Sequence, residues 1–144
     1  MRQMKVLIAE DEPIVTRYLK RILEASGGFE VMAECESGEE ALEACRLDRP
    51  DLLITDIRMP GITGLELIRR VKQYNANVQV VIVSAYKDFS YAKEAISLGV
   101  EDYITKPINP DELRDTLLRV KSAYWQQQTE QKTGQYILQK NRFR

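Results

Sequence analysis

The fold of this chain is decided by the stretch Leu52-Leu53-Ile54-Thr55-Asp56, an apolar run that ends in a carboxylate. The same pattern occurs three more times, with Val6–Ala9 before Glu10 and Asp11, Val80–Val83 before Ser84, and Tyr103–Thr105 before Lys106. Short apolar runs of this kind are typical of buried parallel strands. If the four runs are neighbouring strands, their polar ends meet at the carboxyl edge of one sheet, where open α/β folds hold ligands.

The segments between these runs predict helices and one further strand. Apolar residues at i, i+4 spacing indicate amphipathic helices, and a strand over residues 29–35 alternates Phe29, Val31, Ala33 and Cys35 on one face with Glu30, Met32 and Glu34 on the other. Capping boxes at Ser37 with Glu40 and at Thr63 with Glu66 predict two helix starts, and Asn109 caps the last helix. Five strands alternating with five helices predict an α/β fold, a flavodoxin-like doubly wound parallel sheet in the order 2-1-3-4-5.

The length of 144 residues fits one domain of ordinary size with some spare chain. We assign residues 1–122 to this domain and residues 123–144 to a linker helix or disordered C-terminal tail, because glutamine dominates the tail and polar residues occupy the seam of any heptad pattern. The net charge of −1 favours neither nucleic acid nor an anionic membrane as a partner. No apolar stretch reaches the roughly 20 residues of a membrane-spanning helix, so we expect a cytoplasmic protein.

The chain contains no histidine, which excludes Ser-His-Asp and Cys-His nucleophile pairs and histidine zinc sites. A phosphohistidine in the reaction of this chain must therefore belong to a partner. Cys35 and Cys45 lack the spacing of a metal site, and we interpret both as buried free thiols.

Three carboxylates, those of Glu10, Asp11 and Asp56, would repel one another at adjacent strand ends unless they were protonated or bridged by a cation. Oxygen ligands without histidine or thiolate favour Mg²⁺, with Mn²⁺ as a substitute. A backbone carbonyl from the turn over residues 56–59 would complete the ligand shell.

With a metal ion and the Lys106 ammonium offsetting its charge, the Asp56 carboxylate becomes a nucleophile toward phosphorus. The Ser84 hydroxyl would donate a hydrogen bond to the phosphoryl oxygens. Taken singly, Glu10-Asp11 or Ser84 is as readily a helix cap, and Lys106 a solvated surface residue. Their shared position at one edge of the sheet favours a functional site, because residues that only capped separate helices would not need to lie at the same edge.

Over residues 3–122 the chain resembles the receiver domain of two-component response regulators. The resemblance rests on four strings in the order that the family uses: Leu7-Ile8-Ala9-Glu10-Asp11-Glu12, Leu53-Ile54-Thr55-Asp56-Ile57-Arg58-Met59-Pro60-Gly61, Val83-Ser84-Ala85-Tyr86, and Tyr103-Ile104-Thr105-Lys106-Pro107. Residues 84–108 are most similar to receivers that precede AraC-type DNA-binding modules.

The resemblance implies a role for each position. Asp56 would be the phosphoacceptor, and Glu10 and Asp11 would hold magnesium together with the backbone carbonyl of Arg58. Ser84 and Lys106 would contact the phosphoryl group, and Tyr103 would turn inward on activation. A sensor histidine kinase would donate the phosphoryl group, the Lys106–Pro107 bond would be cis, and the last two helices and last strand would form the changing surface and a possible homodimer face.

Two other functions fit the same carboxylates. A phosphatase of the haloacid dehalogenase type also forms an aspartyl phosphate, but it needs a second aspartate two residues after the nucleophile, where this chain has Arg58. An inert interaction module is the other alternative, although the complete acidic set argues against it. Tyr86, two positions beyond Ser84, is expected to shield an acyl phosphate from water and slow its hydrolysis.

Overall fold

The computed structural model describes residues 2–85 and 89–142, and the side chains of residues 2–85 and 90–130. The described strands are β1 Met4–Ala9, β2 Phe29–Cys35, β3 Leu52–Thr55, β4 Gln79–Ser84 and β5 Asp102–Thr105. The described helices are α1 Pro13–Ser26, α2 Gly38–Leu47, α3 Gly64–Tyr74, α4 Phe89–Ser97 and α5 Pro110–Arg142. All strand pairs are parallel and the order is β2-β1-β3-β4-β5, which confirms the predicted fold.

The core has one apolar layer on each side of the sheet. Successive residues of β1 point to opposite faces, so Val6 and Ile8 pack with α1 and α5, whereas Leu7 packs with α2 and α3. Every residue of β3 and β4 is buried, as expected for strands covered by helices on both faces. These covered strands hold the carboxyl edge of the sheet rigidly in place.

The predicted single face for the apolar residues of β2 is wrong. Val6 of β1 pairs with Val31, but Leu7 pairs with Ala33, so Met32 is an extra residue in a β-bulge. An extra residue reverses the face of every later side chain. Val31 therefore packs in the layer of α1 and α5, whereas Cys35 is buried in the layer of α2 and α3.

Each of the two predicted capping boxes forms one of its two expected hydrogen bonds. The hydroxyl of Ser37 accepts from the backbone N–H of Glu40, and that of Thr63 from the N–H of Glu66, both at 3.2 Å. The return bonds are not made, because the Glu40 carboxylate accepts from the N–H one residue before the cap and Glu66 pairs with two arginines of its own helix. In the second box, Arg69 and Arg70 compete with the cap for the carboxylate of Glu66.

Helix α5 begins at the predicted cap, where Asn109 Oδ1 accepts from the N–H of Asp111 at 2.9 Å. The helix continues past residue 122, and Tyr124 is buried in the layer of α1. The hydroxyl of Tyr124 accepts from Arg2 at 2.7 Å, and Arg2 also pairs with Asp51. These contacts fasten α5 at the amino edge of the sheet. Over residues 2–85 and 89–142, no helix combines the length and apolar character needed to cross a membrane.

Candidate functional site

Four carboxylates gather at the carboxyl edge of the sheet. Glu10, Asp11 and Glu12 follow β1, Asp56 follows the adjacent β3, and each offers an oxygen within 4.8 Å of the others. The structure thus brings together the three predicted acidic residues and adds Glu12. Sequence reasoning missed Glu12, although its position directly after Glu10-Asp11 and before the start of α1 was a usable signal.

Lys106 reaches into this cluster from the end of β5. Its Nζ lies 2.9 Å from Asp56 Oδ2, 2.9 Å from Glu12 Oε1 and 3.1 Å from Glu10 Oε1. Burial lowers the pKa of Lys106, but the hydrogen bonds that its ammonium donates to Glu12, Asp56 and Glu10 outweigh this effect, so the pKa is raised above its usual value. Lys106 is therefore a fixed cation among the carboxylates.

The strand pairing of β4 with β5 places Lys106 and Ser84 side by side. Ser84 pairs with Thr105, and the carbonyl of Ser84 accepts from the backbone N–H of Lys106 at 2.9 Å. The Lys106–Pro107 bond is cis, as the resemblance implies. Ser84 itself is fully buried at the edge of the sheet, between the strand of Asp56 and that of Lys106.

Glu10 is the most deeply buried carboxylate of the cluster. It is 3% exposed, and its Oε2 has no hydrogen-bond partner among the described residues. Burial, followed by the negative charge of Asp56, raises the pKa of Glu10 to about 7. A buried oxygen without a partner beside other carboxylates fits a divalent cation, and oxygen-only ligands favour Mg²⁺ or Mn²⁺. Glu10, Asp11 and Asp56 are the side chains that would hold it.

The loop after β3 holds Asp56 in a fixed orientation. Asp56 Oδ1 accepts from the N–H of Ile57 at 2.6 Å, and the Thr55 hydroxyl donates to the Asp56 carbonyl at 2.8 Å. Gly64, the first residue of α3, donates its N–H to the Ile57 carbonyl at 2.8 Å. A Cβ on Gly64 would lie only 1.9 Å from the Asp56 carbonyl oxygen. Only glycine permits this approach, which sequence reasoning did not identify.

The remaining predicted residues lie around this cluster. Arg58 extends toward α4, where its Nη2 donates to the Tyr91 hydroxyl at 3.3 Å. Tyr103 is half-buried on β5, with its ring in the layer of α2 and α3. Tyr86 lies outside the described residues, so its predicted shielding role stays a prediction.

An apolar groove opens beside Lys106. It lies between the first turn of α1 and the segment after β5, and it is lined by Ile14, Tyr18, Pro107 and Ile108. Ile14 is 74% exposed, so the groove presents apolar surface to solvent directly beside the charged cluster.

The chain is similar in sequence to known proteins. The family of the response regulator receiver domain matches residues 6–118. The uncharacterized transcriptional regulatory protein YesN of Bacillus subtilis (strain 168) is 38% identical over 114 residues, which are 78% of this chain and 31% of YesN. The chemotaxis protein CheY of the same strain is 34% identical, over 78% of this chain and 93% of CheY.

Solved structures show the same fold. The receiver domain of AraT, a response regulator from Geobacillus stearothermophilus, is 39% identical with a TM-score of 0.80, over 87% of this chain and 98% of that one. This chain spans less than a third of the length of YesN and nearly all of CheY, so the match concerns the receiver. By its matched residues, sheet order and acidic edge, the chain belongs to the receiver domain family of two-component response regulators.

Proposed function

We propose that the chain is a phosphorylation-dependent switch that accepts a phosphoryl group on Asp56 from a sensor histidine kinase. The observation that carries this proposal is the 2.9 Å contact between Lys106 Nζ and Asp56 Oδ2, inside a cluster of further carboxylates. A nucleophilic carboxylate paired with a fixed cation suits phosphoryl transfer, which depends mainly on positioning and charge stabilisation.

In the proposed step, a carboxylate oxygen of Asp56 attacks phosphorus, and the bond between phosphorus and the donor's imidazole nitrogen breaks. The nitrogen keeps the electron pair of that bond. Lys106 neutralises charge on the transferring oxygens, and the Ser84 hydroxyl donates a hydrogen bond to one of them. Bound Mg²⁺, held by Glu10, Asp11, Asp56 and the Arg58 carbonyl, would supply further neutralisation.

The partner must bring the histidine, since this chain has none. The apolar groove beside Lys106 supports a docking partner, because an exposed Ile14 and a half-buried Tyr18 offer apolar area directly next to the charged cluster. A kinase helix seated there would present its phosphohistidine to Asp56. We place this exchange in the cytoplasm, the usual location of the family.

Phosphorylation would act on the surface formed by α4, β5 and α5. Ser84 moves toward the phosphoryl group, Tyr103 repacks inward, and an existing equilibrium of this surface shifts toward the active form. Dimerisation through this surface is the proposed readout. The name of YesN as a transcriptional regulatory protein supports transcriptional control as the final output. A DNA-binding module of the AraC type is the output that we propose, from the resemblance of residues 84–108.

Acetyl phosphate with magnesium, followed by intact mass measurement, tests the proposal. One stable added phosphoryl group that is absent in Asp56→Asn supports the switch, with acetate as the leaving group. Continuous release of inorganic phosphate would instead indicate the phosphatase. No mass change with magnesium present would indicate the inert interaction module and overturn the proposal.

A further inference from the structure

A contact outside the carboxylate cluster joins the loop that carries Asp56 to helix α4. Arg58 Nη2 donates to the Tyr91 hydroxyl at 3.3 Å, and the guanidinium carbon lies 5.9 Å from the centre of the Tyr91 ring. A guanidinium at this distance from an aromatic ring is attracted by the ring as well as by the hydroxyl. Two interactions therefore connect the phosphoacceptor loop to the beginning of α4.

Helix α4 is weakly attached to the rest of the fold. Among its residues 90–97, Ala95 alone is buried, and Ile96 is 78% exposed. Tyr91 is partly buried and packs against the layer of α2 and α3, and because Ala95 is the one buried residue over 90–97, the polar contacts of this helix contribute to its position. Two such contacts are the one between Arg58 and Tyr91 and an ion pair between Arg69 of α3 and Glu94.

We propose that the contact between Arg58 and Tyr91 is a latch that holds α4 in its resting position and is released when Asp56 is phosphorylated. This inference rests on the proposed function. Phosphorylation replaces the single negative charge of the Asp56 carboxylate with close to two on the acyl phosphate, and it places phosphate oxygens two residues from Arg58. Guanidinium groups bind phosphate oxygens more strongly than a neutral phenol, so the new charge draws Arg58 away from Tyr91. Linkage makes the effect reciprocal, and loss of the latch favours the phosphorylated form.

The size of the effect follows from the exposure of the contact. Exposed contacts of charged side chains contribute about 0.2–1 kcal/mol, which corresponds to an equilibrium shift of up to about fivefold. We therefore expect removal of the latch to raise the ratio of phosphorylated to unphosphorylated protein about two- to fivefold at limiting acetyl phosphate.

Two variants of Tyr91 separate the parts of the latch. Tyr91→Phe removes the hydroxyl and keeps the ring, and Tyr91→Leu removes both, so the increase should be larger for Tyr91→Leu. Each is measured by intact mass in the Arg58 protein and in an Arg58→Gln background. In that background both substitutions at Tyr91 should have no effect, because the latch is already absent. Lys20→Ala, which removes an exposed ion pair between α1 and β2 and keeps high helix propensity, does not touch α4; it is the control and should leave the ratio unchanged.

Amide hydrogen exchange gives an independent measurement. In the unphosphorylated state, exchange in α4 should be faster for Tyr91→Leu than for the wild type, and phosphorylation should accelerate it in the wild type only. Wild-type protein that takes up no phosphoryl group would overturn the proposed function and this inference together. Normal wild-type uptake, with Tyr91→Leu giving the same ratio and the same exchange in α4, would overturn the latch alone.

Discussion

Lys106 Nζ lies 2.9 Å from Asp56 Oδ2, although these residues follow strands that are not neighbours. Both β3 and β5 pair with β4, so their backbones are roughly 10 Å apart. The four-carbon stem of the lysine spans this distance across the end of β4, where Ser84 lies. With Glu10 at the end of β1, the site is assembled from the ends of four strands, and its charge balance depends on one amine.

Lys106→Met should destabilise the metal-free protein. Removal of the cation leaves the buried carboxylates of Glu10 and Asp56 without their shared partner. Loss of one partner of a buried ion pair costs about 3–5 kcal/mol, and the cost is smaller where a carboxylate becomes protonated. We expect the free energy of unfolding in urea with EDTA at about pH 8 to fall by about 2–4 kcal/mol. Lys5→Met, which removes the exposed pair with Asp48, is the control and should cost under about 1 kcal/mol.

Gly64→Ala should damage both stability and the site. The added Cβ would lie 1.9 Å from the Asp56 carbonyl oxygen, so the loop or α3 must move. We expect a loss of about 2–4 kcal/mol in urea unfolding and slower phosphorylation by acetyl phosphate. Gly99→Ala is the comparison for backbone strain without a steric clash, since Gly99 has a φ of +73 and a Cβ there would meet only Lys72 Nζ, at 3.5 Å. It should cost about 1 kcal/mol and leave phosphorylation unchanged; equal rates for the two variants would contradict the role given to Gly64.

The stability of the metal-free protein should fall as pH rises. The pKa of Glu10 is raised to about 7 in the fold, from a usual 4.5, so the folded state holds this proton more tightly than the unfolded state. Its contribution to stability is complete below about pH 4.5 and is lost as pH rises through about 7. The slope is at most about 1.4 kcal/mol per pH unit.

Urea unfolding with EDTA at several pH values between about 5.5 and 8 measures this slope, and Glu10→Gln should flatten it. Magnesium competes with the same proton, so the stabilisation by added magnesium should grow over the same interval. A wild-type slope equal to that of Glu10→Gln would contradict the raised pKa.

The two thiols should be unreactive in the folded protein. Burial is the main cause that raises the pKa of Cys35 to about 11 and that of Cys45 to about 12, and both are free. Reaction with a disulfide reagent at about pH 8 should therefore be slow in buffer and fast in urea, because the thiolate is the reactive form. Ser97→Cys, at an exposed position of α4, should add one thiol that reacts at once. Fast reaction of Cys35 or Cys45 in buffer would show that they are accessible.

Much of the site could be predicted because Glu10, Asp56, Ser84 and Lys106 each come at the end of an apolar run. In a parallel sheet all carboxyl ends lie at one edge, so Glu10, Asp56 and Lys106 had to converge once the runs were recognised as strands. Helix starts could be predicted for a similar reason, because a cap lies next to its helix in the sequence, and Asn109 caps α5 as predicted. The face of the sheet on which Cys35 lies could not be predicted from local sequence, because the bulge in β2 is defined by its pairing with β1.

The sequence by itself determined the alternation of strands and helices, three helix starts and the identity of the groups at the functional edge, because strand period and capping chemistry operate within a few residues. Only the tertiary structure decided that Glu12 pairs with Lys106, that Gly64 must approach the Asp56 carbonyl, and that Arg58 reaches Tyr91. These relationships depend on distances between segments far apart in the chain and on burial, which local sequence does not specify.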